Sequence, residues 1–395
     1  MTRVLIVHDL LGDLGGAEAS VRQSAQALTR DGMDVALLYG TDTGSALEHW
    51  HTTFPTRWSW LTNRVTAMAA ALAWQPQVVW VHNLRDLEVL EALVATRLRL
   101  IRTVHDHHLF CQRGSRYFPW NRRPCTRRAG YACALTCAVL RNRTGPLPIR
   151  LAWPGKKLHE IELCKAFHRT LVNSTYMRDE LLLHRFDANR LIVLYPAPPS
   201  APLEHIATYE RPLIVFAGQL VRGKGCDILL RALATLGDRP WQALIAGDGD
   251  QLQTCIALAT KLGIADRVTF SGRVPRAELP IHWRDARMGV MPSLWPEPLG
   301  LAGIEYMLHG LPVIAFDVGG IRDWLDHGET GFVIPHGDIV ALSSAIGTLL
   351  DNRELASQMG TLAAQRSAQR FNASASHAQL RAILEGEAGT AALTP

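Results

Sequence analysis

The sequence predicts an α/β protein built from two doubly wound parallel domains that face a cleft. Three observations predict it. The chain has 395 residues, about twice a typical domain. Short apolar runs ending at polar residues alternate with stretches of helical spacing, as strands do with their crossover helices. Prolines 196, 198, 199 and 202 break that alternation near the middle, as an interdomain linker does.

The first strand is "RVLIVH" at residues 3–8, a continuous apolar run suited to burial on both faces. The glycine-containing loop "DLLGDLGGAEAS" follows, and "VRQSAQALTRDGM" has helical spacing that stops at Gly32. "DVALLYG" is the next strand; "QVVWVHN", the helix "LRDLEVLEALVAT" and the strand "LRLIRTVHD" continue the pattern. These elements define a first domain over 1–195, with a Cys- and Arg-rich insertion over about 107–159. After the proline cluster the alternation restarts in a second domain, 196–370, with "PLIVFAG", "WQALIAGDG", "DRVTFSG", "ARMGVMPS", "LPVIAFDVGG" and "TGFVIPHGD". Residues 371–395 read as a helix packing back toward the first domain, followed by a fraying tail of small residues.

The composition is 48% hydrophobic and 19% charged, the balance of a globular enzyme and not of a disordered chain. No apolar run approaches the ~18 residues of a membrane span, and "MTRVLIVHDLLG" is too short an apolar run for a signal peptide. A cytoplasmic protein is the expectation. Between His107 and His159 there are eleven Lys and Arg residues and no Asp or Glu, so this one segment more than accounts for the net charge of +5. Such a patch suits an anionic partner: a phospholipid surface, a phosphorylated acceptor or nucleic acid. Nothing resembles a nucleic-acid reading module, and no nucleic acid is expected.

"EPLGLAGIE" at 297–305 carries the chemistry. Pro296 and Pro298 delay a helix whose start at about Gly300 points amide N–H groups at the ligand zone. That helix start suits a diphosphate, whereas Glu297 and Glu305 are suited to accept hydrogen bonds from sugar hydroxyls on either side of it. The alternative is two solvated acids. In "FAGQLVRGKGCDILLRAL" a loop with Arg222 and Lys224 follows a strand, as cations that clamp phosphates do. Its spacing is not that of a P-loop.

These motifs resemble the retaining glycosyltransferases of family four, which have the GT-B fold of two Rossmann-like domains facing a cleft. The resemblance rests on "GGAE" at 15–18, "TVHD" at 103–106, "GQLVRGKG" at 218–225, "AGDGDQ" at 246–251, "PEPLGLAGIE" at 296–305 and "PVIAFDVGGIRDWL" at 312–325, in the family's order. It implies that Glu297 contacts the donor sugar and Glu305 the ribose hydroxyls. It implies that the Leu299–Leu301 amides, with Lys224, hold the diphosphate, that the Gly15–Gly16 loop approaches it, and that His105 lies beside the reacting carbon. One departure stands out: Gln219 occupies a position where the family has Arg, and Arg222 is the expected substitute.

The chemistry so implied moves a sugar from a nucleoside-diphosphate sugar to a hydroxyl of a glycan, polyprenyl-diphosphate-linked or small-molecule acceptor, as in polysaccharide biosynthesis. The anomeric configuration is retained, and the diphosphate is stabilised by protein charge with no metal required. The alternatives are a nucleotide-sugar epimerase of the same fold and an inactive nucleotide-sugar-binding homologue. The basic segment with its interleaved aromatic residues reads either as contact with an anionic acceptor or peripheral association with the inner membrane face, or as a solvated Arg-rich loop.

Cys111, Cys125, Cys133 and Cys137 crowd one short stretch. They read either as ligands of a structural zinc or iron–sulfur cluster or as four reduced cysteines. A related arrangement in part of the family supports the first reading. Cys164, Cys226 and Cys255 are isolated and read as core residues.

Overall fold

Val4, Leu5, Ile6 and Val7 are all fully buried, because the strand that carries them, β1 (Arg3–Leu11), is covered on both faces. The computed structural model describes residues 1–12, 16–118, 120–137, 139–141, 149–151, 153–197, 209–275 and 278–386. They form two units. One comprises Met1–Gly114, Thr126–Pro199 and Ala373–Pro395, and the other Ser115–Cys125 and Ser200–Asn372.

In the first unit β1 is joined by β2 (Asp34–Asp42), β3 (Arg57–Ser59), β4 (Val78–Val81) and β5 (Arg99–Val104). After β6 (Val139–Arg141) and β7 (Ile149–Leu151), which pair antiparallel with each other, come β8 (Arg169–Val172) and β9 (Leu191–Val193). The seven-stranded sheet has the order β3-β2-β1-β4-β5-β8-β9 and is parallel throughout. Successive side chains of a strand point to opposite faces, and the core divides accordingly. Leu5, Val7, Ala36, Leu38, Val79 and Val81 pack on one side, and Val4, Ile6, Val35, Leu37, Val78 and Trp80 on the other.

The helix Ala373–Glu385 adds Leu380, Ile383 and Leu384 to the second of these cores, an i, i+3, i+4 stripe. Arg99 holds its last turn by donating to the carbonyls of Ile383 (2.7 Å) and Leu384 (3.2 Å). Residues 387–395 lie outside the described residues. In the sequence "ANRLIVLY" runs into the proline-rich linker, but Leu191–Val193 is β9, paired with β8 at the sheet edge. Three half-buried residues at an edge give too weak a pattern to read.

The second unit has β10 (Leu213–Ala217), β11 (Gln242–Ala246), β12 (Val268–Gly272), β13 (Met288–Met291), β14 (Val313–Phe316) and β15 (Gly331–Ile334). They form a parallel six-stranded sheet in the order β12-β11-β10-β13-β14-β15. In each sheet the strand order reverses beside one strand, between β1 and β4 and between β10 and β13. Loops at the carboxyl ends of such strands diverge and leave a crevice for ligands.

Residues 115–125 belong to the second unit although their chain neighbours belong to the first. They form a narrow hairpin: Tyr117 bridges Pro124, the Phe118 amide donates to the Arg123 carbonyl at 2.9 Å, and that of Cys125 to the Arg116 carbonyl at 2.7 Å. Arg122 anchors it with an ion pair to Asp227 at 2.7 Å, both side chains being largely buried.

Candidate functional site

Each unit carries one constellation at the carboxyl end of its switch-point strands. In the second unit β13 ends at Met291, and the turn Pro292–Pro298 carries Glu297 beneath the surface, 4% exposed. Burying a carboxylate is unfavourable unless it is paired and hydrogen-bonded, and Glu297 is both. Lys224 Nζ lies 2.8 Å from its Oε1 and 3.1 Å from its Oε2. Ser293 Oγ donates to Oε1 at 2.5 Å, and Trp295 Nε1 donates to it at 3.0 Å. Burial alone would raise the Glu297 pKa. The Lys224 charge and the three donors outweigh it and leave the group below its ordinary value, ionised at neutral pH.

Glycines make the approach of these loops feasible. Lys224 closes the turn Arg222–Lys224 and is followed by Gly225 at φ +70°, where a Cβ would sit 1.9 Å from the Pro292 carbonyl oxygen. A Cβ on Gly223 would strike the Trp295 ring at 2.6 Å. Backbone and ring thus close against the Lys224 loop, and the Lys224 ammonium also lies over Trp295, 5.3 Å from the ring centroid. Tyr117 of the 115–125 hairpin meets the same ring edge-on at 6.2 Å.

The helix Leu301–Leu308 starts beside this cluster. Gly300 takes φ +92° as its N-cap, no side chain caps the N-terminus, and Trp324 Nε1 donates to the Leu299 carbonyl at 2.6 Å. Leu299, Gly300 and Leu301 are therefore fixed at an amide-rich helix end. Glu305 is buried one turn further along. Arg222 and Gln219 are both exposed, and among the described residues the Arg222 guanidinium has no partner. Asp248-Gly249-Asp250 has Asp-x-Asp spacing, and the Asp248 carboxylate accepts from the Gly249 amide at 2.7 Å.

In the first unit the carboxyl ends of neighbouring β4 and β5 are followed by His82 and His105. His82 Nδ1 and His105 Nε2 share a hydrogen bond of 2.8 Å, and the rings stack at 5.1 Å with an interplanar angle of 17°. His8 in β1 is buried like His82, whereas His105 is half-buried; His8 lies 6.2 Å from His82 centroid to centroid and 3.9 Å from the Glu18 carboxylate through its Nε2. Burial is the main force that drives all three pKa values down: His8 and His105 to about 4, and His82 well below its ordinary value. The three rings are neutral at pH 7. Gly16 opens the helix Gly16–Arg30, and Gly15 lies outside the described residues.

The four clustered cysteines are free thiols, all half-buried. Cys133 and Cys137 open and close a short helix, and Cys125 belongs to the 115–125 hairpin. Among the described residues no group of three or more His, Cys, Asp or Glu side chains could hold a metal ion.

Sequence reading missed Ser293, Trp295, His82 and His8. "SLWPE" held the signal for the first two, a hydroxyl and an indole within four residues of the acid. His82 had the signal of a polar residue directly after a buried strand.

Residues 14–197 match the family described as Glycosyltransferase Family 4, and residues 204–366 match Glycosyl transferases group 1. A GDP-mannose-dependent alpha-(1-6)-phosphatidylinositol monomannoside mannosyltransferase of Mycolicibacterium smegmatis is 38% identical over 159 residues, 38% of this chain and 42% of that protein. An alpha-D-kanosaminyltransferase of Streptomyces kanamyceticus is 32% identical over 176 residues, 44% of this chain and 45% of that protein. The matched stretch thus spans less than half the length of these two relatives. Among solved structures, Anabaena Alr3699/HepE in complex with UDP and glucose superposes with a TM-score of 0.73 at 19% identity, covering 98% of this chain and 100% of that one.

Proposed function

The chain is a group 1 glycosyltransferase with the GT-B fold, and from that premise we propose that it transfers a sugar from a nucleoside-diphosphate sugar to an acceptor hydroxyl with retention of configuration. The observation that carries this reading is the Glu297 cluster: a buried, ionised carboxylate beside Lys224 and the open helix start at Gly300. In the proposed complex the Leu299–Leu301 amides and Lys224 hold the diphosphate, and Arg222 adds the cation that Gln219 does not supply. Glu297 accepts from the transferable sugar and Glu305 from the ribose. The acceptor hydroxyl attacks on the face that the diphosphate leaves, and fixed positive charge stabilises that leaving group without a metal.

The acceptor reading is a lipid-linked glycan at an anionic membrane surface. Its support is a patch in the first unit where Tyr131, Leu135 and Trp153 are exposed, with Tyr131 and Trp153 ring to ring at 5.9 Å, next in sequence to Arg127, Arg128 and Lys156. Aromatic rings with cations suit the headgroup region.

The test is a panel of nucleotide sugars, GDP-mannose and UDP-glucose first, read by thermal stabilisation and by release of nucleoside diphosphate. One donor should raise Tm and be slowly hydrolysed, and Glu297→Ala should abolish the release. Binding without release would identify an inactive binding homologue. An isomerised donor would identify an epimerase. No shift with any donor would overturn the assignment.

A further inference from the structure

His82 has no role in the reading above, yet it is 1% exposed and its imidazole is bonded directly to that of His105. We propose that His82 is a positioning residue that locks His105 in the tautomer with its proton on Nδ1, so that His105 offers a neutral N–H donor to an oxygen of the bound substrate. The inference rests on the glycosyltransferase reading for the identity of that substrate, but not for the tautomer itself.

Counting protons distinguishes the two tautomers. With both rings neutral, each imidazole carries one N–H. One proton lies in the bond between His82 Nδ1 and His105 Nε2, and the question is which ring owns it. His82 Nε2 is fully buried and has no partner among the described residues. If His105 owned the shared proton, His82 would have to carry its own on Nε2, leaving a buried donor unmade. If His82 owns it, Nε2 is only an unused lone pair. Orphaned buried N–H groups are rarer than under-used acceptors, so the proton belongs to His82 Nδ1. His105 Nε2 then accepts, and the His105 proton must sit on Nδ1.

The surroundings support this. Trp80 packs on His82 at 4.2 Å between centroids and His8 lies 6.2 Å away, so neighbouring rings hold the imidazole in place. The Asn173 side chain donates to the His105 carbonyl at 3.2 Å, which fixes the backbone while His82 fixes the ring. Among the described residues His105 Nδ1 has no partner, so it is the nitrogen left for substrate. In this tautomer neither nitrogen can act as a base: Nδ1 carries a proton and the Nε2 lone pair is engaged. His105 is thus a hydrogen-bond donor to a hydroxyl or phosphate oxygen and not a general base.

The decisive measurement is nitrogen-15 NMR of the full chain labelled at histidine, with His105 assigned by its loss in His105→Gln. The expected native spectrum shows a neutral His105 protonated at Nδ1 at pH 7. Protonation at Nε2 would overturn the proposal, whatever the enzyme turns over. Kinetics supply the second arm. His82→Leu should lower kcat/KM by about 10–100-fold, as loss of an orienting partner does, and should move the His105 proton. His82→Asn, which keeps a donor near the Nδ1 position, should recover most of that loss. Equal damage from Leu and Asn with an unmoved His105 resonance would reduce His82 to a packing residue and sink the idea. If the wild-type chain releases no diphosphate from any donor, the glycosyltransferase reading fails, and the NMR result still decides the tautomer.

Discussion

Lys224 and Glu297 are bonded to each other at 2.8 Å, although the proposed chemistry gives the first to a phosphate and the second to a sugar. The pair explains how a carboxylate can be this buried and still be ionised before any ligand arrives. Under the proposed chemistry a bound diphosphate would compete with Glu297 for the Lys224 ammonium. The carboxylate is not abandoned in that exchange, because Ser293 and Trp295 continue to donate to it.

A double-mutant cycle follows from this pairing. Lys224→Met strands a buried carboxylate and should destabilise the chain by about 2 kcal/mol, less than the ~3–5 of a fully buried pair because Lys224 is partly solvated and two donors remain. Glu297→Gln should cost less, and the double variant less than the sum, with a coupling of about 1–2 kcal/mol in urea denaturation. Additive losses would show that the two residues do not act as a pair.

The 115–125 hairpin rests on Arg122–Asp227 and on Tyr117 against Trp295. Arg122→Ala leaves Asp227, in the first turn of the helix Cys226–Ala234, without its cation and frees the hairpin. Hydrogen exchange at the Phe118 and Cys125 amides should accelerate by about 10-fold or more, the effect of roughly 1.4 kcal/mol on a local opening. The β10–β14 amides should be unchanged. Exchange that rises across the whole second unit would mean the ion pair supports the fold and not the hairpin alone.

The residues legible in the sequence are those whose role is local. Glu297, Gly300 and Lys224 lie in short segments where proline, glycine and charge report the backbone directly, and the buried strands β1, β4, β10 and β13 declare themselves as apolar runs. What stayed hidden depends on partners far along the chain. His82 becomes notable only when parallel pairing of Val78–Val81 with Arg99–Arg102 brings it beside His105. Trp295 reads as an ordinary core aromatic until Gly223 is found against its face. The hairpin 115–125 meets the second unit through partners far along the chain, Asp227 for Arg122 and Trp295 for Tyr117, which no periodicity encodes.

The buried histidines give the first unit a defined response to acid. In the unfolded chain His8 and His105 titrate near 6.5, whereas in the folded unit burial depresses both to about 4. Below pH 6.5 the unfolded chain therefore binds protons that the folded unit refuses. The stability these neutral rings contribute is complete above 6.5 and is lost as pH falls toward 4, at most about 3 kcal/mol for each ring. Asp9 acts in the opposite sense: burial raises it from 3.8 to about 6, so its folded form takes up a proton in part of the same window and offsets some of the loss. His8 and His105, joined by His82, whose pKa is also held well below its ordinary value, outweigh the one carboxylate and leave a net decline in Tm between pH 6.5 and 4. His8→Gln should flatten that decline, since Gln has no proton to refuse, and Asp9→Asn should steepen it by removing the offset. Tm profiles of the three proteins, taken at fixed ionic strength, check the sign of both changes. A wild-type profile that is flat between 6.5 and 4, or a His8→Gln profile as steep as the wild type, would show that these rings are not held neutral by the fold.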